Sequence, residues 1–283
     1  YKRANAAPKS MQNVLRHIAF SELLRNNFEE AEGLIEEMLN IPGFDAYEYA
    51  IAKAEYRLYA GDYHGALTLL DKAPKPVEED YLFVADFFDN DLRLRILWQL
   101  CDFAALVPGA KLLLDAGSLS QRSLSQAQAM LAAALAFSGN KDASGAAFMQ
   151  AEYYADQVHN DYDRIEVLKT LSICHYMAGN RRKAESLAHE TLVSGLRHSS
   201  YYPVFSVLVL LVELAFGKGR HEEAEFFLAE ASYCLATGLH LPDKDAILYY
   251  YYSARLDAEN KAGSYDGKRV KASIALNLME AEK

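Results

Sequence analysis

Six stretches of the sequence share one order of residues: an apolar run, a short polar or glycine turn, then a small residue that opens a second run. They read LLRNNFEEAEGLI, LYAGDYHGALTLL, LCDFAALVPGAKLL, FSGNKDASGAAFM, YMAGNRRKAESLA and FGKGRHEEAEFFL. Aligned on Ala31, Ala66, Leu106, Ala146, Ala184 and Ala224, they are spaced by 35, 40, 40, 38 and 40 residues. A period in this range, with no strand signal between, marks helix–turn–helix hairpins stacked as a solenoid.

Alanine at the start of the second helix lets two helices approach closely at the turn. Asn or Gly before it supplies the left-handed residue that ends the first helix. One hairpin cannot bury its apolar face alone, so neighbours must stack. The third unit departs, with Leu106 for Ala and Pro108 in the first turn of its second helix, where proline is tolerated. A further unit runs from Asp243 to the end with the weaker turn NKAGSYDGKRV. The expected fold is all-α, a right-handed α-solenoid of about seven tetratricopeptide-like helical hairpins. Residues 1–242 are expected to form the helical repeat region and 243–283 a C-terminal capping or dimerisation hairpin.

Acidic side chains outnumber basic ones 39 to 29, a net charge of −10, which argues against these residues gripping nucleic acid by themselves. Cys101, Cys174 and Cys234 sit singly in apolar helical contexts and read as reduced core thiols of a cytoplasmic protein. The most apolar stretch, YYPVFSVLVLLVELAF, is interrupted by Glu213 and reads as a buried helix rather than a membrane span. No signal peptide is evident, and the start at Tyr1 suggests a fragment with a segment missing upstream.

The stretch ILYYYYSARLDAEN puts four tyrosines side by side at 100° steps, too wide an arc for one core. On a helical wheel Ile247, Tyr251, Ala254 and Ala258 make one stripe and Leu248, Tyr252 and Leu256 the next. Tyr249 and Tyr250 fall on the remaining face with Ser253 and Asp257, to line a groove, to meet a second subunit, or to stand as exposed aromatics with no partner.

Enzyme signatures are absent: no glycine-rich phosphate loop, no His-Glu-x-x-His, no paired-cysteine metal spacing. Neither a cofactor nor a metal is implied. Cys174 and His175 are adjacent, but neighbours on a helix point about 100° apart, and they read as a core cysteine beside a groove-edge histidine. Recognition remains. Solenoids bind extended peptides on their concave surface, with polar groups on the first helix of each pair. Arg122 and Gln126, one turn apart, suit a peptide carboxylate and peptide amides; Asn90, Asp91 and Gln99 lie among aromatics in the preceding first helix, and Asp243 and Lys244 open the last unit.

The order of FSELLRNNFEEAEGLIEEML, AEYRLYAGDYHGALTLLDKA, EDYLFVADFFDNDLRLRILWQL, RSLSQAQAMLAAALAFSGN and YYYYSARLDAENKA resembles that of the arbitrium receptors. These are phage-encoded peptide sensors among the Gram-positive quorum-sensing regulators. The resemblance implies a helical repeat region that binds a short secreted peptide, downstream of a helix-turn-helix DNA-binding domain that this chain lacks. It implies a homodimer that binds an operator, promotes a lysogeny-inhibiting transcript and changes its DNA engagement when peptide binds. By this resemblance Arg122 is the groove arginine, and Gln99 or Asn90 stands for a groove asparagine. Asp243 and Lys244 approximate a peptide-touching loop, Tyr250 belongs to a peptide-facing aromatic pair, and Tyr249 lies at the dimer interface. The sequence departs in the fifth unit, where RRKAESLAHETLVSGL is a fuller second helix. A tetratricopeptide-like scaffold for protein partners without a transcriptional role is the alternative reading. A protein that regulates a kinase or phosphatase through the same fold is a third.

Overall fold

In the computed structural model, which describes residues 8–24, 27–74, 90–115, 119–236, 239 and 243–260, each hairpin is set by the backbone of its turn. Gly61, Gly139, Gly179 and Gly219 have φ of 84°, 83°, 83° and 70°, the left-handed region that glycine enters without strain. The pattern is constant. The Gly139 amide donates to the Ala136 carbonyl at 3.0 Å and the Asn140 amide to the Leu135 carbonyl at 2.9 Å, closing the helix end. The same two bonds recur at the other three glycines. Cys101 takes the glycine position in the third unit with φ of 55° and makes both bonds. It is exposed at this turn rather than in the core, as its apolar flanks had suggested; Cys174 and Cys234 are buried.

The next residue caps the second helix. Asp62, Asp102 and Asn140 accept from the amides of Gly65, Ala105 and Ala143 at 2.9, 3.1 and 3.3 Å. Four residues beyond that position Ala31, Ala66, Leu106, Ala184 and Ala224 are fully buried. In the fourth unit the equivalent is Ser144, not Ala146: Ser144 is buried and Ala146 exposed. The Ser144 hydroxyl donates to the Ala132 carbonyl at 2.8 Å, so a polar residue fits a site that otherwise takes alanine.

Among the described residues the chain is all-helical, without strands, and divides into two compact units, Tyr1–Leu119 and Ser120–Lys283. The first holds α1 (Pro8–Leu24), α2 (Phe28–Glu37), α3 (Ala46–Tyr59), α4 (Tyr63–Lys72), α5 (90–99) and α6 (Phe103–Asp115). There α1 pairs with α2 and α3 with α4, and α1 lies against α3. Leu92 and Ile96 of α5 join Ile51, Leu58, Ala66 and Leu70 in one core.

The second unit holds α7 (Gln121–Phe137), α8 (Lys141–Ala155), α9 (Asp161–Met177), α10 (Arg181–Arg197), α11 (Tyr201–Phe216), α12 (His221–Ala236) and α13 (Asp243–Asn260). The hairpins α7–α8, α9–α10 and α11–α12 stack so that α7 touches α9, α9 touches α11 and α11 touches α13. This is solenoid packing, and it explains α11. Flanked by α9, α10, α12 and α13, that helix is buried nearly all round, hence its apolar sequence. No described helix is long and apolar enough to cross a membrane. The partner that residues 261–283 were expected to give α13 lies outside the described residues.

Tyr252 and Leu256 are buried as the wheel suggests, and Tyr251 packs partly against the same core. Two assignments change. Leu248 is 36% exposed, and Tyr249, placed on the open face, is half-buried against Phe205 with ring centroids 5.8 Å apart. The buried stripe runs through Tyr249, Tyr252 and Leu256, at i, i+3 and i+7, because that is the face α13 docks on α11 and α12. Tyr250 is left 64% exposed.

Close approach is required once more at Gly195, in the last turns of α10, where an added Cβ would sit 2.5 Å from Val204 Cγ2. Replacing Gly195 by alanine is expected to destabilise by about 1–3 kcal/mol in urea titrations despite the better helix propensity of alanine, with Val204→Ala recovering part of the loss. Cys101→Gly is expected to act oppositely, stabilising by about 0.5–1 kcal/mol through relief of left-handed strain.

Candidate functional site

The first helices of the hairpins carry polar residues at one-turn intervals, and these line up across neighbouring helices as seams. In the second unit the seam begins at Ser120, whose hydroxyl accepts from the Ser123 amide at 3.1 Å and sets the start of α7. Asn160 does the same for α9 through the Asp163 amide, also at 3.1 Å. These two caps fix the register at which α7 faces α9.

Arg122 Nη1 then meets Asp163 Oδ1 at 2.7 Å, each side chain about one-third exposed. One turn along, Gln126 Nε2 donates to Thr170 Oγ1 at 3.2 Å, and Thr170 in turn donates to the Glu166 carbonyl at 2.9 Å. Lys169 pairs with Glu166 at 2.6 Å and stands 4.9 Å over the Tyr202 ring, which carries the seam to α11. Further along, Tyr176 donates to Glu213 Oε1 at 2.9 Å, and Tyr252 of α13 donates to the other oxygen of the same carboxylate. Burial first, then the bond to Glu213, pushes the Tyr176 phenol up to about 12 and raises that of Tyr252 further. Arg255 covers Phe216 at 4.5 Å beside this junction.

The first unit has its own seam. Gln12 and Arg16 of α1 face Glu48 of α3, with Arg16 Nη1 3.0 Å from Glu48 Oε2 and both side chains buried. Gln12 accepts from the Asp45 amide at 3.0 Å and donates to the Met38 carbonyl at 3.5 Å, joining α1 to the loop before α3. Arg95 of α5 donates to the Tyr59 hydroxyl at 3.0 Å and lies 5.6 Å over its ring, with Asp91 at 4.0 Å.

Of the residues singled out in the sequence, Arg122 and Gln126 come together on one face of α7. Asn90 and Gln99 belong to the first unit, both half-buried on α5. They are nine residues apart and so face opposite sides of that helix, with Gln99 on the side of Asp91 and Arg95. Tyr250 lies on α13, at the far end of the second unit's row of first helices, edge-on to Tyr249 at 5.3 Å. Asp243 and Lys244 open α13, but their side chains lie outside the described residues. Asp163, Glu166, Thr170 and Glu213 were not singled out. Glu213 had a signal, as the one charge inside an apolar run, whereas Asp163 resembles any first-turn acid.

His175, expected at a groove edge, is only 4% exposed. It stacks on Phe148 at 3.9 Å, receives Asn180 Nδ2 on Nδ1 at 3.2 Å and therefore donates from Nε2 to Glu152 at 3.0 Å. Burial lowers its pKa against the opposing pull of Glu152. Burial likewise holds the Cys174 thiol well above its ordinary range, which leaves it a poor nucleophile. Among the described residues no group of His, Cys, Asp and Glu has the geometry to hold a metal ion.

No family model matches the sequence, and no curated protein matches it. The solved structure of BtubC (BKLC) from P. vanneervenii superposes with a TM-score of 0.48 and 13% identity, over 83% of this chain and 94% of that one. At that distance the all-helical repeat architecture rests on the helix pairing and turn geometry above.

The lowered pKa of His175 has a stability consequence. The folded state keeps the ring neutral below the pH at which the unfolded chain takes up a proton, so its contribution is complete above the ordinary imidazole value of about 6.5 and is lost progressively as pH falls from there through the lowered folded value. Urea midpoints between pH 7.5 and 5.5 are expected to fall less steeply in His175→Gln than in the parent.

Proposed function

We propose that the chain is the sensing region of a ligand-responsive transcription regulator of the arbitrium type, which holds a short signalling peptide along the first-helix seam. The observation that supports it most is the Arg122–Asp163 pair beside Gln126. A guanidinium one-third exposed and held by a single carboxylate from another helix can exchange that carboxylate for one on a ligand. The neighbouring amide is suited to a peptide backbone. The exchange would release Asp163 and loosen the tie between α7 and α9. A ligand shifts a protein between arrangements only through its different affinity for each, and this tie differs between bound and free states.

In this reading the array is a right-handed superhelix of about seven hairpins. It works as a homodimer in the cytoplasm of a host cell, and DNA is engaged through a separate helix-turn-helix domain. Tyr250 and the start of α13 at Asp243 and Lys244 contribute to the peptide site, with Tyr249 near the subunit contact. The chain has no catalytic role, in keeping with the buried thiol of Cys174 and the structural setting of His175.

Arg122→Ala is expected to weaken binding of the peptide encoded by a secreted-peptide reading frame beside the gene by roughly tenfold or more, about 1.4 kcal/mol, with the far-UV spectrum unchanged. Calorimetry giving equal affinities would remove Arg122 from the site. The scaffold reading draws on a different feature, the exposed Met149 and Tyr153 of α8 and Phe226 and Tyr233 of α12, which offer apolar contacts to a protein partner. A gene without an upstream helix-turn-helix segment would favour it.

A further inference from the structure

One turn of the second unit spends its capping side chain elsewhere. Asn180 follows the left-handed Gly179, as Asp62 follows Gly61 and Asn140 follows Gly139. Its backbone matches theirs, with φ of −80° and ψ of 56° against −83° and 71° for Asp62 and −86° and 77° for Asn140. Asp62 and Asn140 cap the helix that follows. Asn180 makes no capping bond, and its amide lies 3.2 Å from His175 Nδ1 instead. A favourable cap is forgone for this contact.

The contact is the outer link of a chain through three helices. Glu152 of α8 gives Oε1 to His175 Nε2 at 3.0 Å and Oε2 to Lys183 of α10, also at 3.0 Å. These two are the charged groups that act on the ring, and Phe148 of α8 stacks on it with planes 13° apart. An ionised carboxylate only accepts, so Nε2 carries a proton whether the ring is neutral or charged. In the neutral ring Nδ1 accepts and Asn180 must present Nδ2. In the charged ring Nδ1 donates, and Nδ2 facing it would set donor against donor. The amide must then present its oxygen.

Both positions are bonded. Turned over, Asn180 accepts a charge-assisted bond, Glu152 forms an ion pair with the imidazolium, and the Phe148 face attracts the cation. Burial of the ring opposes the proton, Glu152 favours it and Lys183 opposes it; the balance keeps the ring neutral to lower pH than a free imidazole. Asn180 is exposed although His175 is not, which opens the Nδ1 edge to protons from solvent.

We propose that Glu152, His175 and Asn180 form an acid-operated switch at the junction of α8, α9 and α10, in which a proton taken up at Nδ1 turns the Asn180 amide over. The exposed side of that amide changes from acceptor to donor beside Arg181 and Arg182, so the surface of the turn is altered without unfolding. The switch rests on residues apart from Arg122 and needs no peptide.

The test follows the full 15N-labelled chain by long-range NMR correlation between pH 8 and 5, with His175→Gln assigning the ring among the eight histidines. At the alkaline end the proton is expected on Nε2 alone, and the Asn180 side-chain amide signals are expected to move with the midpoint of the ring. Asn180→Asp, which can only accept, is expected to raise that midpoint by about one pH unit or more, a tenfold gain in proton affinity. A neutral ring protonated on Nδ1, Asn180 signals that stay flat through the midpoint, or a midpoint unmoved in Asn180→Asp overturns the proposal. Unfolding of the parent before the ring titrates, seen in the far-UV spectrum, overturns it equally, because no folded charged state then exists. None of these readouts involves a peptide, so their failure is distinct from failure of the function proposed above.

Discussion

The closed turn between the two helices of a hairpin is the constraint on which the rest of each unit depends. A left-handed residue ends one helix with two backbone bonds, the next residue opens the second, and four positions on a side chain no larger than the space allows is buried against the first. Because this geometry repeats, it fixes the phase of every second helix relative to its first. The stacking of successive hairpins then follows from which faces remain apolar. The third unit shows how much variation is tolerated: Cys101 at the left-handed position and Leu106 at the small one leave both turn bonds intact.

With the phase fixed, the polar residues of the first helices have no choice of neighbour. Arg122 meets Asp163 because two caps, Ser120 and Asn160, hold α7 and α9 in register. Such pairs are not primarily a source of stability, since desolvation offsets much of what the charges gain. Their value lies in specificity and in the fact that partly exposed partners can be replaced. The contrast between the two units fits this. Arg16 and Glu48 are shut away and act as structure, whereas Arg122 and Asp163 stay open to water.

The repeat was legible in the sequence because the turn chemistry is local: glycine or a stand-in, a capping residue, a small residue. Even so, the fourth unit was misaligned by two positions. Ala146 is the more alanine-like match, but the distance from the Asn140 cap decides, and that selects Ser144. Arg122 and Gln126 were legible as a pair because one helical turn separates them. Their partners were not, since Asp163 and Thr170 are more than forty residues away in the chain. His175 failed for a related reason: its burial is decided by Phe148 and Glu152 on another helix. Tyr249 failed because a wheel gives angles but not which neighbours exist, and α13 presents its Tyr249 face to α11 and α12.

Glu213 receives a phenol from α9 and another from α13 while sitting on α11 between them. A single side chain thus acts as a rivet through three consecutive layers. In an array whose layers otherwise touch only their neighbours, such a rivet makes the C-terminal end open as a block rather than peel away one helix at a time. Amide hydrogens along α9, α11 and α13 would accordingly share a common opening event.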